Sequence, residues 1–97
     1  MAQFNETIHQ PVRLQIMAAL VTLENGTEVD FTYLRGLLEV TDGNLGAHLR
    51  KLEEFGYITI KKEFIDRKPR SFISATQKGL KVFQDHVEAL ESILKNK

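Results

Sequence analysis

Residues 41–76, TDGNLGAHLRKLEEFGYITIKKEFIDRKPRSFISAT, constrain the fold more than any other part of the chain. At about 100° per residue, Leu45, Leu49 and Leu52 fall on one narrow stripe of a helix, so this stripe faces a core. Gly43, Ala47, Arg50, Lys51 and Glu54 point away from it, with Asn44 and His48 on the flank. Thr41 supplies a hydroxyl for the N-cap. Gly56 stops the helix, and from Tyr57 to Phe64 the pattern switches to a period of two, with Ile58 and Ile60 inward and Thr59 and Lys61 outward. Residues 65–70 read as the turn, since Pro69 lacks the N–H that a central ladder requires. Residues 71–76 return as a second strand with Ile73 and Ala75 inward. A helix running through a glycine into a charged hairpin is a shape that fits a DNA major groove and its flank.

The rest of the chain supplies a scaffold for that unit. Residues 9–23 read as a first helix, with Val12, Ile16, Leu20 and Leu23 on one face and Pro11 in its first turn, ended by a left-handed cap at Asn25-Gly26. Asp30 caps a short second helix whose inward residues are Phe31, Leu34, Leu37 and Leu38. A turn at Glu39 and Val40 leads into the third helix. A last helix over residues 77–95, capped by Thr76, carries Leu80, Phe83, Val87, Leu90 and Leu94 at alternating spacings of three and four. The order helix, helix, helix, hairpin, helix is α+β, mostly helical, and matches a winged helix-turn-helix with a three-helix core, a two-stranded wing and a C-terminal dimerisation helix. Ninety-seven residues with no repeat or linker imply one domain.

Charge sharpens the functional reading. The formal net charge is zero, which by itself argues against phosphate binding. Its distribution does not. Residues 1–49 carry a balance of −4, whereas residues 50–70 carry +3 from Arg50, Lys51, Lys61, Lys62, Arg67, Lys68 and Arg70 against four acidic side chains. Positive charge gathers where the helix ends and the hairpin turns. A solvated hairpin would show the same charges, so the inference rests on charge and shape together. Gly43 and Gly46 each lower helix propensity by about 1 kcal/mol relative to alanine. That penalty suits a helix whose backbone must come close to a partner, with fraying near a loop as the alternative.

These stretches also carry a resemblance. IHQPVRLQIMAAL resembles the opening helix of ArsR-type regulators, and TDGNLGAHLRKLEEFGYI is similar to the reading helix and first wing strand shared by the MarR and ArsR families. SATQKGLKVF resembles the Thr-x-x-Gly strand-to-helix junction of MarR-type proteins. The match spans roughly residues 8–95 and is best to short winged-helix DNA-binding proteins close to MarR. It implies a double-stranded DNA partner and a transcriptional regulator. Thr41 then takes a cap position that touches the phosphate backbone. Asp42, Gly43, Asn44 and Ala47 take base-edge positions, and His48 that of the histidine before a core leucine. Arg67, Lys68 and Arg70, with Lys62, would reach a neighbouring minor groove or its phosphates. Gly43 and Ala47 are shorter than the polar side chains common there, which shifts direct readout toward Asn44, Lys51 and Arg50.

Other classes fit poorly. The absence of cysteine removes disulfides and thiolate metal sites. His86 lies beside Asp85, Glu88 and Glu91, but adjacent helical side chains point about 100° apart, so no metal or other cofactor is expected. Ser71, Ser74 and Ser92 have no nucleophile elbow and no phosphate loop is present, so an enzyme is not expected. The start lacks a signal-peptide pattern and no apolar run approaches a membrane span, from which a cytoplasmic location without membrane association is expected. A protein-docking winged helix or a nonspecific architectural DNA binder are the competing readings. The former calls for an apolar outward helix face and the latter for a strongly basic chain. Leu80 and Phe83 have the first helix to pack on, whereas Val87, Leu90 and Leu94 extend past a small core. These three are the expected interface of a homodimer presenting two reading helices.

Overall fold

A computed structural model describes residues 3–24 and 26–95. The helix expected over residues 9–23 is observed over residues 11–21, and a separate short helix precedes it. The first, α1 (Glu6–His9), is a single turn capped by Asn5, whose Oδ1 accepts from the Ile8 N–H at 2.8 Å. Gln10 leaves helical geometry with ψ 132°, because the residue before a proline is pushed out of the right-handed helical region. Pro11 then opens α2 (Pro11–Val21) where its missing N–H is harmless. This helix buries Ile16, Met17 and Leu20 and ends two residues short of Leu23, which is left 38% exposed. The expected left-handed cap at Asn25-Gly26 does not end this helix: Thr22 is the C-cap, right-handed at φ −79° and ψ −10°, while Gly26 is left-handed at φ 86° four residues further on and Asn25 lies outside the described residues.

A two-residue strand, β1 (Val29–Asp30), was not foreseen from the sequence. Asp30 also caps α3 (Phe31–Leu38), its Oδ1 accepting from the Thr32 N–H at 2.6 Å. Leu34 is fully buried, but Leu37 is 52% exposed and does not join the inward face. The helix turns its Leu34–Leu38 side inward, these two being only about 40° apart, and Leu37 falls beyond the other edge. Glu39 (φ 53°) ends α3 in the left-handed region, and the Thr41 hydroxyl starts α4 (Asp42–Glu54) by accepting from the Asn44 N–H at 3.1 Å. Leu45, Leu49 and Leu52 are all buried, as their stripe predicts. Each contributes about 1.5–3 kcal/mol of apolar burial, which fixes the rotation of α4 and therefore the identity of its outward face.

Gly56, at φ 78°, carries the chain from α4 into the hairpin. Strands β2 (Ile58–Ile65) and β3 (Lys68–Ala75) pair antiparallel along their whole length, and the sheet order is β1-β3-β2. The expected turn over residues 65–70 is too long. Only Asp66 and Arg67 lie between the strands, both left-handed at φ 52° and 66°, as a tight primed turn requires. Lys68, Pro69 and Arg70 therefore belong to β3. Proline is tolerated there because β1 reaches only Phe72 and Ile73, so Pro69 has no neighbour on its second side. The closing Ile65–Lys68 pair of such a turn is hydrogen-bonded, so the next pair, Phe64–Pro69, needs no N–H.

The last helix, α5 (Gln77–Lys95), starts at Thr76, whose Oγ1 accepts from the Gly79 N–H at 2.9 Å. Gly79 is buried on the backbone of Tyr57, and the Tyr57 carbonyl accepts from the Thr76 N–H at 3.0 Å. Val82 and Phe83 pack on the core, completing the support beneath α4 and the hairpin.

Candidate nucleic-acid interface

The outward face of α4 is open. Asp42, Gly43, Asn44, Ala47, Arg50 and Lys51 are all exposed, as is Thr41 at its cap. Two of these side chains have duties within the protein. The Thr41 hydroxyl holds the Asn44 N–H, and Asp42 accepts from Arg35 Nη1 at 2.9 Å, tying α4 to α3 across the turn. Lys51 places its ammonium 5.7 Å from the Phe55 ring centroid. Beyond its chain neighbours and its own helix backbone, no atom of the described residues lies within 4 Å of where a Cβ on Gly43 would sit, so packing does not demand glycine there.

His48 is half-buried on the flank rather than on the open face. Arg13 explains its setting: Nε donates to the Thr7 carbonyl at 2.6 Å and Nη1 to His48 Nδ1 at 3.1 Å. Because Arg13 can only donate, His48 must accept at Nδ1 and carry its proton on Nε2. Burial, and then the Arg13 charge, hold His48 below the ordinary histidine pKa.

Strand alternation gives the wing two unlike faces. Ile58, Ile60, Lys62 and Phe64 share the side of β2 that continues from the core, opposite Ala75, Ile73, Ser71 and Pro69 of β3. Lys61, Glu63 and Ile65 share the other side, opposite Phe72, Arg70 and Lys68. Lys61 is occupied by Glu63 at 3.1 Å and Glu28 at 3.2 Å, and these two carboxylates raise its pKa. Arg70 is occupied as well. Its Nε donates to Asp30 Oδ2 at 2.7 Å, its Nη2 reaches the same oxygen, and this pairing holds the Asp30 carboxyl below its usual range. Arg70 thus ties the wing to the cap of α3. By contrast, Arg50, Lys62, Arg67 and Lys68 form no ion pair among the described residues.

Between α4 and the sheet lies a groove of about 630 Å³, lined by apolar Phe31, Leu49 and Ile60 and by charged Asp42, Arg50, Glu53 and Lys62. It brings Arg50 and Lys62 to one concavity, whereas Arg67 and Lys68 stand at the far end of the hairpin. The orienting roles of Arg13 and Arg35, and the pairing of the capping Asp30 with Arg70, escaped sequence reasoning because the partners are 7 to 40 residues away.

On α5, Val87 and Leu90 are half-buried, while Ile93 is 59% and Leu94 71% exposed. A second groove, about 310 Å³, runs along Val21, Leu80, Phe83, Gln84, Val87, Glu88 and Glu91. His86 turns the opposite way and is fully buried. Its Nδ1 accepts from the Asn5 N–H at 2.9 Å, so the neutral ring carries its proton on Nε2, which faces His9 Nδ1 at 3.3 Å. The Phe4 ring packs 4.7 Å from both imidazoles. Burial, and then His9, depress the His86 pKa.

Comparison with known proteins agrees with this geometry. An uncharacterized protein of Methanocaldococcus jannaschii is 39% identical over 85 residues, covering 88% of this chain and 89% of its own. The transcriptional regulator homologue protein of Pyrococcus horikoshii OT3 superposes with a TM-score of 0.83 at 29% identity, covering 93% of this chain and 86% of its own. A protein of Enterococcus faecalis V583 assigned to the MarR family of transcriptional regulators gives 0.64 at 25% identity, with coverages of 91% and 73%. MepR of S. aureus, solved in complex with DNA, shares the fold at a TM-score of 0.73 and 16% identity, with coverages of 93% and 74%. The model of the winged helix DNA-binding domain matches residues 12–94. With a three-stranded sheet beside α4 and MarR-type regulators as structural neighbours, this chain belongs to the winged helix DNA-binding domain family.

Proposed function

We propose that the chain is a sequence-specific, double-stranded DNA-binding transcriptional regulator that works as a homodimer. The observation that carries this reading is the α4 face: Gly43, Asn44, Ala47, Arg50 and Lys51 are exposed beside a hairpin whose Lys62, Arg67 and Lys68 form no ion pair among the described residues. In this reading α4 enters the major groove. Asn44 and Lys51 face base edges, with Arg50 beside them, while Thr41, Lys62, Arg67 and Lys68 meet phosphates or the adjacent minor groove. Asp42, tied to Arg35, orients the helix start, and His48 can offer its Nε2–H to a phosphate from the flank. Arg70 sets the wing angle through Asp30 before it contributes any contact.

The dimer reading rests on the exposed end of α5. Val87, Leu90 and Leu94, with Ile93, form an apolar strip next to the groove at Val21 and Leu80. A second copy packed along it would space two reading helices about one DNA turn apart. Selection from random duplexes followed by fluorescence anisotropy tests the DNA reading. An enriched, two-fold-related motif bound with strong salt dependence is expected. Absence of both an enriched motif and binding at low salt would refute it. Sedimentation at micromolar concentration should give a dimer, and polar replacement of Val87, Leu90 and Leu94 together should give monomers.

A further inference from the structure

From Lys61 onward every residue of β2 is exposed, so the hairpin stands clear of the core for five residues, about 17 Å. Its most unusual occupant is Phe64, which is 79% exposed, the highest value among the exposed large hydrophobic side chains. Phe64 sits on the same face as Lys62 and Ile60, the face that borders the groove against α4, and pairs across the hairpin with Pro69. The outer face holds the Lys61–Glu63 and Asp30–Arg70 pairs, so the two sides of the wing are chemically distinct. On the inner side an apolar Phe64–Pro69 pair lies one strand step beyond Lys62, with Arg67 in the adjoining turn and Lys68 beside Pro69 on the opposite face of the tip. Asp66, the one acidic residue of the tip, occupies the first left-handed position of the turn, a backbone role that aspartate suits.

We infer that Phe64, backed by Pro69, is a minor-groove contact residue that lays its ring against the sugar and base surface of duplex DNA. Charge selects this occupant. A lone apolar ring would suit many partners, but a ring at a hairpin tip where Lys62 shares its face, and Arg67 and Lys68 stand at the turn, none of them in an ion pair among the described residues, suits a surface whose apolar strip runs between two rows of phosphates. That surface is the minor groove, where exposed apolar side chains are used as wedges. The tight two-residue turn holds the ring at a fixed height, because a primed turn continues the twist of the strands without slack. This assignment rests on the DNA-binding reading above, and it adds a contact that carries no charge.

Salt dependence separates the ring from the lysines. Removing one phosphate-binding cation should reduce the slope of log affinity against log salt by about 0.9, whereas an apolar side chain releases no counterion. Phe64→Ser should therefore weaken duplex binding about tenfold, which is about 1.4 kcal/mol, with an unchanged slope. Lys62→Gln should lower the slope, and Phe64→Leu should recover much of the affinity. The chain has no tryptophan, so Phe64→Trp introduces a single reporter at the tip. With labelled duplex in the same cuvette, the indole emission should change in step with the anisotropy.

Binding of the duplex at wild-type affinity by Phe64→Ser, or an indole emission unaltered while anisotropy rises, would overturn the proposal and leave the DNA-binding reading standing. An indole signal that follows protein concentration without DNA would overturn it in favour of a contact between copies. No anisotropy rise in the wild-type protein at low salt would remove the DNA-binding reading itself, and this assignment with it. Circular dichroism of each variant checks that so exposed a position leaves the fold intact.

Discussion

Gly43 and Gly79 both lie in the first turn of a helix, and replacing each by alanine should shift stability in opposite directions. At Gly79 a Cβ would stand 2.0 Å from the Tyr57 carbonyl oxygen and 2.9 Å from its carbon. An ordinary C···O contact needs about 3.3 Å, so helix and strand must separate by about 1.3 Å. Both sides are backbone, and no side chain can swing away. Overpacking of this kind typically costs about 1–3 kcal/mol. The same carbonyl accepts from Thr76, and disturbing that bond adds about 1 kcal/mol. Alanine returns up to about 1 kcal/mol of helix propensity, leaving a net loss of roughly 1–3 kcal/mol. At Gly43 only the propensity gain applies, because no described atom beyond its neighbours and its own helix backbone lies within 4 Å of that Cβ. With about 4–8 °C per kcal/mol for a domain of this size, Gly79→Ala should melt about 5–20 °C lower and Gly43→Ala several degrees higher. Thermal melts by circular dichroism at one fixed protein concentration decide this, since association would otherwise shift the midpoint. A Gly79→Ala melt equal to wild type would refute the packing argument. Gly43→Ala should also bind operator DNA more weakly despite its added stability. Greater stability with undiminished affinity would refute the idea that this glycine serves close approach to DNA.

Stability should fall on acidification through histidine. His86 and His48 have folded-state pKa values below the ordinary 6.5, so the unfolded chain takes up their protons first. Stability is then complete above pH 6.5 and declines as the pH falls below it, by up to about 1.4 kcal/mol per pH unit for each group. Denaturant titrations between pH 5 and 7 check this, and His86→Gln should flatten the curve; a flat wild-type curve would contradict it. Asp30→Ala should destabilise by about 1 kcal/mol through removal of the cap, whereas Asp30→Asn, which keeps a capping oxygen, should cost less while still freeing Arg70. Equal losses in the two variants, read from urea midpoints, would assign the effect to the Arg70 pair instead.

Elements governed by local pattern were legible in the chain; those governed by distant partners were not. The stripe of Leu45, Leu49 and Leu52, the cap at Thr41 and the alternation from Ile58 to Ile60 depend only on neighbours, and all appear as expected. Pro69 misled because its rule concerns central strands, and β3 is central only where β1 borders it. Leu37 obeyed helical periodicity, yet an eight-residue helix has too narrow a contact to cover both edges of its apolar side. The open residues of α4 were legible for the same reason as its buried ones, since fixing one face fixes the other. The engagement of Arg70 and of His48 was not, because Asp30 and Arg13 lie 40 and 35 residues away in sequence.

The contact between Asn5 and His86 closes a loop of 81 residues, nearly the whole chain. Bringing such remote segments together is entropically demanding, so this junction should belong to the latest steps of folding and the earliest of local opening. Leu45, Leu49 and Leu52 of α4 share a core with Ile8 but take no part in the Asn5–His86 hydrogen bond itself. Opening at this junction should therefore loosen the seat of α5 before it disturbs the outward face of α4. Amide exchange should register this as an early, separate event in residues 5–9 and the middle of α5. A short extension fused near Phe4 would act at the same point, shifting the seat of α5 before it altered what α4 presents.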